Sequence, residues 1–553
     1  MKRLLIFFFY DDDGIVDEYV DVMLEDLKKS VDRIVVVVNG KLDSNGRRVL
    51  SRYSDTVLVR ENKGLDVWAY KTAIDYIGWS KICEYDEMIL MNNTICGPIY
   101  PFSEMFDEMD KRDVDFWGLT MYYNVGLPRP KNWPDNGYDI IPDHIQSHFM
   151  AMRKKMLKSY ELQKYWRDIP EINTYNDSIA LHESLFTARF SNAGFKYAVY
   201  VDTDDVVDYN NYGLLNNTHT VIRKKRCPII KRKRNILETN AMLNNDFGYT
   251  VKDMFDSVKE CSDYDMDLVL KNTLRTGELS AFQQGSDLDI ITTEEIEASP
   301  AINKKSICII ILINDPIFYK YVGSYALKSV EGCDIVVVAD DTVEKECFSE
   351  IEHSKYPPHE NEGEQYKKIY EIMDEKSDDY EYFTVLCLDK KIARPFASFE
   401  VTTVRYAADS FISSKTQFCN TIDAFCKNKL LGVLVPPLNI VGANHDENID
   451  YRSNNSETVK KYADFLGVKF KDSSTYHYPQ NNIFTCRAEA VKGFMQSVKD
   501  GCKDVKEALP LNLMLPLYAQ SRGFYTSRMM NDHNARSYIF QLEQTILRLG
   551  GHL

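Results

Sequence analysis

The chain has 553 residues, 44% of them apolar, and a formal net charge of −16 from 67 Lys+Arg against 83 Asp+Glu. At roughly 100–200 residues per domain it holds two or three domains. The apolar fraction excludes a mostly disordered chain, and the acidic balance argues against a general nucleic-acid binder. No apolar run approaches the roughly 20 residues of a membrane-spanning helix.

Met1-Lys2-Arg3 and the apolar run behind it superficially resemble a signal peptide, but the run stops at Asp11-Asp12-Asp13 without a small-residue cleavage site. Residues 4–9 read instead as a strand covered on both faces. Residues 16–27 carry Val16, Tyr19, Val20, Met23, Leu24 and Leu27 at helical spacing, and residues 34–38 form a second buried strand ending at Asn39-Gly40. Strand, helix, strand is a βαβ unit, so the sheet is at least partly parallel. Residues 57–59 predict a third strand, 68–77 a helix, and 88–91 a fourth strand broken by Asn92-Asn93-Thr94 and Gly97-Pro98. Ligands of such sheets bind beyond the carboxyl ends of the strands, so the loops after these strands outline one crevice.

Shortly after residue 300 the pattern restarts, with an apolar run at 307–313, a helix at 319–330 and a strand at 335–338 leading to Asp340-Asp341. Residues 384–388 lead into Asp389-Lys390-Lys391-Ile392-Ala393-Arg394-Pro395, which lies over Asn92-Asn93-Thr94-Ile95-Cys96-Gly97-Pro98 without a gap. The chain therefore reads as two related α/β domains, 1–235 and 303–553. Residues 236–302 join them, helical to about 275 and then polar enough for a linker over 276–300. The twelve cysteines are scattered singly, with no C-x-x-C pair and no Cys/His cluster at zinc spacing. Reduced, packed thiols in a chain without an export signal point to the cytoplasmic side.

Five segments carry candidate chemistry. Arg60-Glu61-Asn62-Lys63-Gly64-Leu65-Asp66 through Lys71 follows a strand and opens a helix, where N–H groups, Gly64 and the charges of Arg60 and Lys71 can meet a diphosphate. A capped surface helix is the alternative. Asn92-Asn93-Thr94 ends a mid-sheet strand where a divalent ion would need hard oxygen ligands; two amides and a hydroxyl are weak ligands, and an Asx turn explains them too. Alternation in His144-Ile145-Gln146-Ser147-His148-Phe149 would turn His144, Gln146 and His148 to one side of a strand, able to bond sugar hydroxyls or to pack as satisfied core groups. His182-Glu183 stands near the start of a helix-like segment, 183–190, where Glu183 can take a proton or complement the helix dipole. Arg223-Lys224-Lys225-Arg226 and Lys231-Arg232-Lys233-Arg234 flank Cys227-Pro228-Ile229-Ile230, and such a stretch suits an anionic lipid surface or a solvated domain edge.

Together these residues resemble the rhamnan synthesis protein F family of bacterial polysaccharide glycosyltransferases. Arg60-Glu61-Asn62-x-Gly64-x-Asp66 with Ala69-Tyr70-Lys71 is similar to the family's R-E-N-x-G-x-D-x-G-A-Y-K, and Asn92-Asn93-Thr94 with Gly97-Pro98 to its N-D-S-x-x-G-P. Trp117-Gly118-Leu119-Thr120, His144-x-Gln146-Ser147-x-Phe149 and His182-Glu183 follow in the family's order, and Asp389-Lys390-Lys391 resembles its D-K-K segment. Asn93 stands where the family has Asp, and Trp68 replaces a Gly.

The resemblance implies two GT-A-like, Rossmann-like nucleotide-sugar transferase domains, the first better preserved, that add a deoxysugar such as L-rhamnose to a surface polysaccharide or lipid-linked glycan. Tyr10, Asp11 and Asp13 would then meet the donor's base or ribose. Asn39, Arg60, Asn62, Gly64, Asp66, Lys71, Asn92, Asn93 and Thr94 also lie on the donor side. His144, Gln146, Ser147 and His182 would handle the sugar acceptor, Glu183 would be the general base, and Asp389 and Lys390 are the second domain's candidates. Mg²⁺ or Mn²⁺ is compatible with this reading, although the usual acidic pair is missing from the first domain. The expected partners are a nucleotide-sugar donor, a glycan acceptor and, through 223–234, the inner face of a membrane. A non-catalytic scaffold that binds sugar nucleotides or glycans is the alternative.

Overall fold

The computed structural model describes residues 1–124, 126–206, 214, 218–232, 249–286, 288–293, 302–361, 364–389, 397–438, 443–471, 476–503, 505 and 508–549. It separates into two units, Met1–Asn272 and Thr273–Leu553. The fold is mixed α/β, and both principal sheets are largely parallel.

In the first unit, seven strands lie in the order Thr56–Arg60, Arg33–Asn39, Arg3–Tyr10, Glu87–Asn92, Phe149–Arg153, Phe116–Gly118 and Tyr197–Val199. Neighbours run parallel except Phe149–Arg153, which is antiparallel to both of its own. The continuous apolar run of Arg3–Tyr10 is buried from Arg3 to Phe9, as a strand covered on both faces requires. Helix Glu18–Leu27 buries Tyr19, Val20, Met23, Leu24 and Leu27, the residues expected from their spacing. Leu4, Ile6 and Phe8 pack with Tyr70 and Ile74 of helix Leu65–Ile77 and with Trp166 and Phe186. Near the amino ends of the strands, Glu87 is fully buried but satisfied: Arg3 Nε lies 2.9 Å from it, Trp117 Nε1 2.7 Å, and Arg153 Nε 3.4 Å. Such a network ties four strands together at one edge of the sheet.

The second unit's sheet runs Ser354–Tyr356, Asp334–Val338, Ile307–Ile313, Tyr382–Leu388, Phe484–Arg487, Leu431–Val435, Tyr525–Asn531 and Ile290–Thr292. Only Phe484–Arg487 is antiparallel to its neighbours. Counted along the chain, with the Ile290–Thr292 edge set aside, both sheets read 3-2-1-4-6-5-7 with the sixth strand reversed. The sequence restart is thus a repeat of topology. The strands ending in Asn92 and preceding Asp389 hold the same fourth place, each beside its unit's first strand.

Three local expectations need correction. His144–Ile145 is a two-residue strand paired with Met121–Tyr122, and the chain turns before Phe149–Arg153, so 144–149 is not one alternating strand. The segment 276–300, expected as a polar linker, contains helix Leu279–Ser286 and the edge strand Ile290–Thr292, because Leu279 and Phe282 are buried in the second unit. The 319–330 helix opens with a π turn, Tyr319–Gly323, before Ser324–Ser329. All twelve cysteines are free thiols.

Candidate functional site

The parallel register aligns the carboxyl ends of the first four strands, with Tyr10 opposite Asn39, Asn39 opposite Arg60 and Phe8 opposite Asn92. Asn39 Nδ2 donates to Asn62 Oδ1 at 3.2 Å and to the Leu65 carbonyl at 3.1 Å, while Arg60 Nη1 donates to Asn39 Oδ1 at 2.9 Å and to the Lys63 carbonyl at 2.8 Å. Arg60 and Asn62 therefore shape their own loop. Tyr10 donates its hydroxyl to Asp12 at 2.6 Å, and Asp11 Oδ1 accepts from the N–H groups of Asp13 and Ile15 at 3.1 and 3.0 Å. Asp13 itself is exposed at this rim.

Gly64 adopts φ +71° as the N-cap of helix Leu65–Ile77, a conformation that suits glycine. What approaches it closely is a side chain of the same helix: a Cβ on Gly64 would lie 2.4 Å from Trp68 Cβ and Cγ. Trp68 is fixed there by its Nε1 bond to the Pro170 carbonyl, 3.0 Å. Lys71 leaves the second turn and pairs with Asp75 at 3.0 Å, while Arg60 Nη1 bonds neutral acceptors in its own loop.

At the end of the fourth strand, Asn92 Nδ2 donates to Asp66 Oδ2 at 3.0 Å, and its Oδ1 accepts from the Thr94 hydroxyl at 2.6 Å and the Thr94 N–H at 3.2 Å. Asn93 exchanges bonds with the backbone of Tyr10, 2.9 Å from its Nδ2 to the carbonyl and 3.4 Å from the Tyr10 N–H to its Oδ1. Both amides are engaged inside the fold, and they are neutral oxygens. They do not fit a divalent cation. Among the described residues no group of three or more His, Cys, Asp or Glu is placed to hold a metal.

Opposite this turn, a five-residue π turn, Ile179–Glu183, interrupts the helical path into Ser184–Asn192. It sends His182 and Glu183 different ways. His182 enters the aromatic core, stacked on Tyr165 and bonded to its hydroxyl through Nδ1. Glu183 instead accepts from Ser147 Oγ at 2.7 Å and faces His144 Nε2 at 3.8 Å, while His144 Nδ1 is held by the Pro142 carbonyl at 2.6 Å. Burial opposes ionisation of Glu183, but His144, Lys231 and Ser147 outweigh it and hold the carboxyl well below the usual range. Burial pushes Asp66 up to about 6, against the bond from Asn92. Two carboxyls in one crevice thus have divergent proton affinities.

Among the described residues, buried polar atoms with no hydrogen-bond partner include Tyr70 Oη, Gln146 Nε2 and both ring nitrogens of His148. Burial keeps His148 neutral, at about 3, with the charge of Lys231 acting in the same direction. Gln146 Oε1 is bonded to the Thr120 hydroxyl at 2.6 Å. Buried polar groups are rarely left unpaired, so these atoms mark a place where a polar ligand or water belongs.

The sequence singled out His148, together with His144 and Gln146, for sugar hydroxyls, but it did not single out Lys231 or Tyr70 for this site. Lys231 arrives on Ile230–Lys231, a short strand antiparallel to Ile95–Cys96 just after the Asn92-Asn93-Thr94 turn. The buried run Cys227–Ile230 ahead of it was the available signal. Elsewhere in the basic stretch Arg223 pairs with Glu260 at 2.9 Å, Lys225 with Asp205, and Arg226 with Glu104 at 2.6 Å beneath the Tyr100 ring. These charges are balanced within the unit; Lys224 is exposed, and Lys233 and Arg234 lie outside the described residues.

In the second unit Asp389 is buried and accepts from Gln365 Nε2 at 2.6 Å, from Asn314 Nδ2 and from the Tyr366 hydroxyl. Lys390 lies outside the described residues.

A family model described as rhamnan synthesis protein F matches residues 34–515. An uncharacterised protein of Sinorhizobium fredii, y4gN, is 26% identical over 204 residues, 37% of this chain. The chain spans half the length of that curated relative. Among solved structures, a CMP:2-keto-3-deoxy-manno-octonic acid synthetase aligns at 11% identity over 37% of this chain and 90% of its own, TM-score 0.23. An inositol-1-phosphate CTP transferase from T. maritima aligns at 17% identity over 36% of this chain and 85% of its own, TM-score 0.23. A 4-diphosphocytidyl-2C-methyl-D-erythritol synthase from Anaerococcus prevotii aligns at 14% identity over 38% and 98%, TM-score 0.24.

Proposed function

The chain belongs to the rhamnan synthesis protein F family, and on that footing we propose that it is a glycosyltransferase built from two GT-A-like domains. It would move a sugar, a deoxysugar such as L-rhamnose being the first candidate, from a nucleoside diphosphate to a hydroxyl of a surface-polysaccharide or lipid-linked glycan. The observation that carries this reading is the meeting of Asp66, Asn92, His144, Ser147, Glu183 and Lys231 at the carboxyl edge of the first unit's sheet. Ligands of open α/β sheets bind at that edge. Tyr10 and Asn62 are exposed at its rim, over the buried Asn39, and are assigned to the donor's base and ribose.

Transfer to a hydroxyl requires a group that takes its proton, and a general base works best when its pKa lies near the operating pH. Asp66, pushed up to about 6, suits that task better than Glu183, which is held well below the carboxylate range. Glu183 then acts as a fixed anion that orients His144 and Ser147 toward the acceptor. Chemistry is assigned to the first unit because Asp389, its counterpart in the second, already accepts from three side chains of its own unit.

Incubating the full chain with a panel of nucleotide sugars and candidate acceptors, followed by linkage analysis, tests this function. Turnover of at least one donor supports it. A scaffold that binds sugar nucleotides without turnover is the second reading, favoured by the neutral, internally bonded Asn92 and Asn93. Donor binding without transfer to any acceptor would select it.

A further inference from the structure

Helix Asp532–Leu549 turns polar residues toward the second unit and apolar ones to solvent. Its first turns are docked by side chains of that unit. Asn534 Nδ2 donates to the Tyr406 carbonyl at 2.9 Å, the Asn534 carbonyl accepts from Tyr406 Oη at 3.1 Å, and Tyr538 Oη accepts from Arg528 Nη1 at 3.1 Å. Farther along, Gln541, Gln544 and Thr545 are the half-buried residues. The exposed ones are Ile539 at 64%, Phe540 at 61%, Leu542, Ile546 at 55% and Leu547. A helix that borders water on its outer side normally has the opposite arrangement.

At about 100° per residue, Ile539 and Ile546 form one apolar row with Leu542 beside it, and Phe540 and Leu547 form a second. Arg536 and Glu543, seven residues apart and both exposed, lie between the rows. The five apolar side chains present about 500 Å² in one patch, a size that on a monomer often marks function. With Arg536 and Glu543 the face reaches roughly 800 Å², the share of one partner in a standard interface. The charges select the occupant. A lipid surface would bury Glu543 in the middle of the apolar face without a counter-charge, which is costly. A second copy of the helix supplies one. Across a two-fold axis residue i of one copy meets residue j of the other, and j meets i. In an antiparallel pair whose register sets Ile539 against Leu542, Arg536 of each copy faces Glu543 of the other, so the ion pair forms twice. Arg536 reaches Asp532 at 3.6 Å with its side chain 82% exposed, and the guanidinium fork has donors enough for a second carboxylate. We propose that this face is the self-association surface of the chain, closing a two-fold dimer through an antiparallel pair of Asp532–Leu549 helices.

Sedimentation equilibrium of the full chain from about 1 to about 100 μM tests the proposal, and the native chain should pass from monomer to dimer within that range. Ile539→Asp together with Ile546→Asp should raise the dissociation constant roughly a hundredfold or more with an unchanged circular dichroism spectrum, since both side chains are exposed in the single chain. Arg536→Glu and Glu543→Arg each set like charges opposite one another twice, and each should weaken self-association about tenfold or more. Mixed together, these two variants should pair with each other, and the chain carrying both substitutions should associate as the native chain does. That recovery belongs to the antiparallel register. If the aspartate pair does not fold, the charge variants are read in its place. A native chain that stays monomeric throughout overturns the proposal, and if that monomer sediments with anionic vesicles the face belongs to lipid instead. A dimer that the aspartate pair leaves intact, or that the double charge variant does not restore, overturns it as well.

Discussion

Asp66 offers a stability test that does not depend on knowing the substrate. Its folded-state pKa of about 6 lies above the ordinary 3.8, with burial as the main cause. A carboxyl shifted upward binds its proton more tightly in the folded state. Its stabilising contribution is therefore complete below about 3.8 and is lost as pH rises through about 6. A difference of about two pH units corresponds to roughly 3 kcal/mol, which partial solvent contact reduces to about 2 kcal/mol. Asp66→Asn can still accept the bond from Asn92, so it removes the buried charge with little change of shape. Scanning calorimetry should show the variant matching the native chain near pH 3.5, and rising above it by about 5 °C at pH 7, given 2–4 °C per kcal/mol for a unit of this size. The same variant should lower transfer at least tenfold, since the charge it removes is the proposed base. An Asp66→Asn chain that is no more stable than the native one at pH 7 would refute the reasoning.

Gly64→Ala should lose about 2–4 kcal/mol in denaturant unfolding, from the left-handed backbone and from the clash with Trp68; adding Trp68→Gly should return the steric part and not the backbone part. No recovery in the double variant would mean that Trp68 is not what crowds Gly64. Glu183→Gln should lower transfer at least tenfold with an unchanged circular dichroism spectrum, and undiminished transfer would remove Glu183 from the mechanism. Asp389→Ala leaves three donors unpaired in the second unit and should cost about 3 kcal/mol. Transfer per folded molecule should stay at the native rate; a loss there would move the chemistry to Asp389.

Much of the scaffold was legible because its signals are local. The apolar runs behind Arg3–Tyr10, Arg33–Asn39 and Ile307–Ile313 are strands covered on both faces, and they read the same way in isolation as in the fold. The loops after the strands were legible for the same reason, since the register brings Tyr10, Asn39, Arg60 and Asn92 to one edge. What each side chain does there was not legible. Arg60 looks like a phosphate ligand by type, and only the fold shows that it bonds Asn39 and the Lys63 carbonyl. His182 and Glu183 are adjacent, and a π turn separates their destinations, which no periodicity announces. Lys231 carries no local mark either. Its place follows from a two-residue strand pairing more than a hundred positions away in sequence, with a partner at Ile95.

Under the proposed function, the repeat of topology puts residues of different type, Asn92 and Asp389, at the end of the same fourth strand. By type, Asp389 is the better ligand or base, and Asn92 the poorer one. In the second unit, however, the carboxylate is enclosed by Asn314, Gln365 and Tyr366, donors from its own unit. A buried acceptor satisfied in this way rigidifies its surroundings and offers little to a ligand. In the first unit the neutral Asn92 uses its amide to hold Asp66, while Glu183 and Lys231 reach the crevice from later parts of the chain. Opposite charges stand there next to buried polar atoms of Tyr70, Gln146 and His148 that lack partners among the described residues. A site that stabilises changing charge needs that combination, fixed dipoles and ions with unmet hydrogen-bonding capacity beside them. The amide at the strand end is thus consistent with activity, because the charge it lacks is supplied by residues that the fold, and not the motif, brings to it.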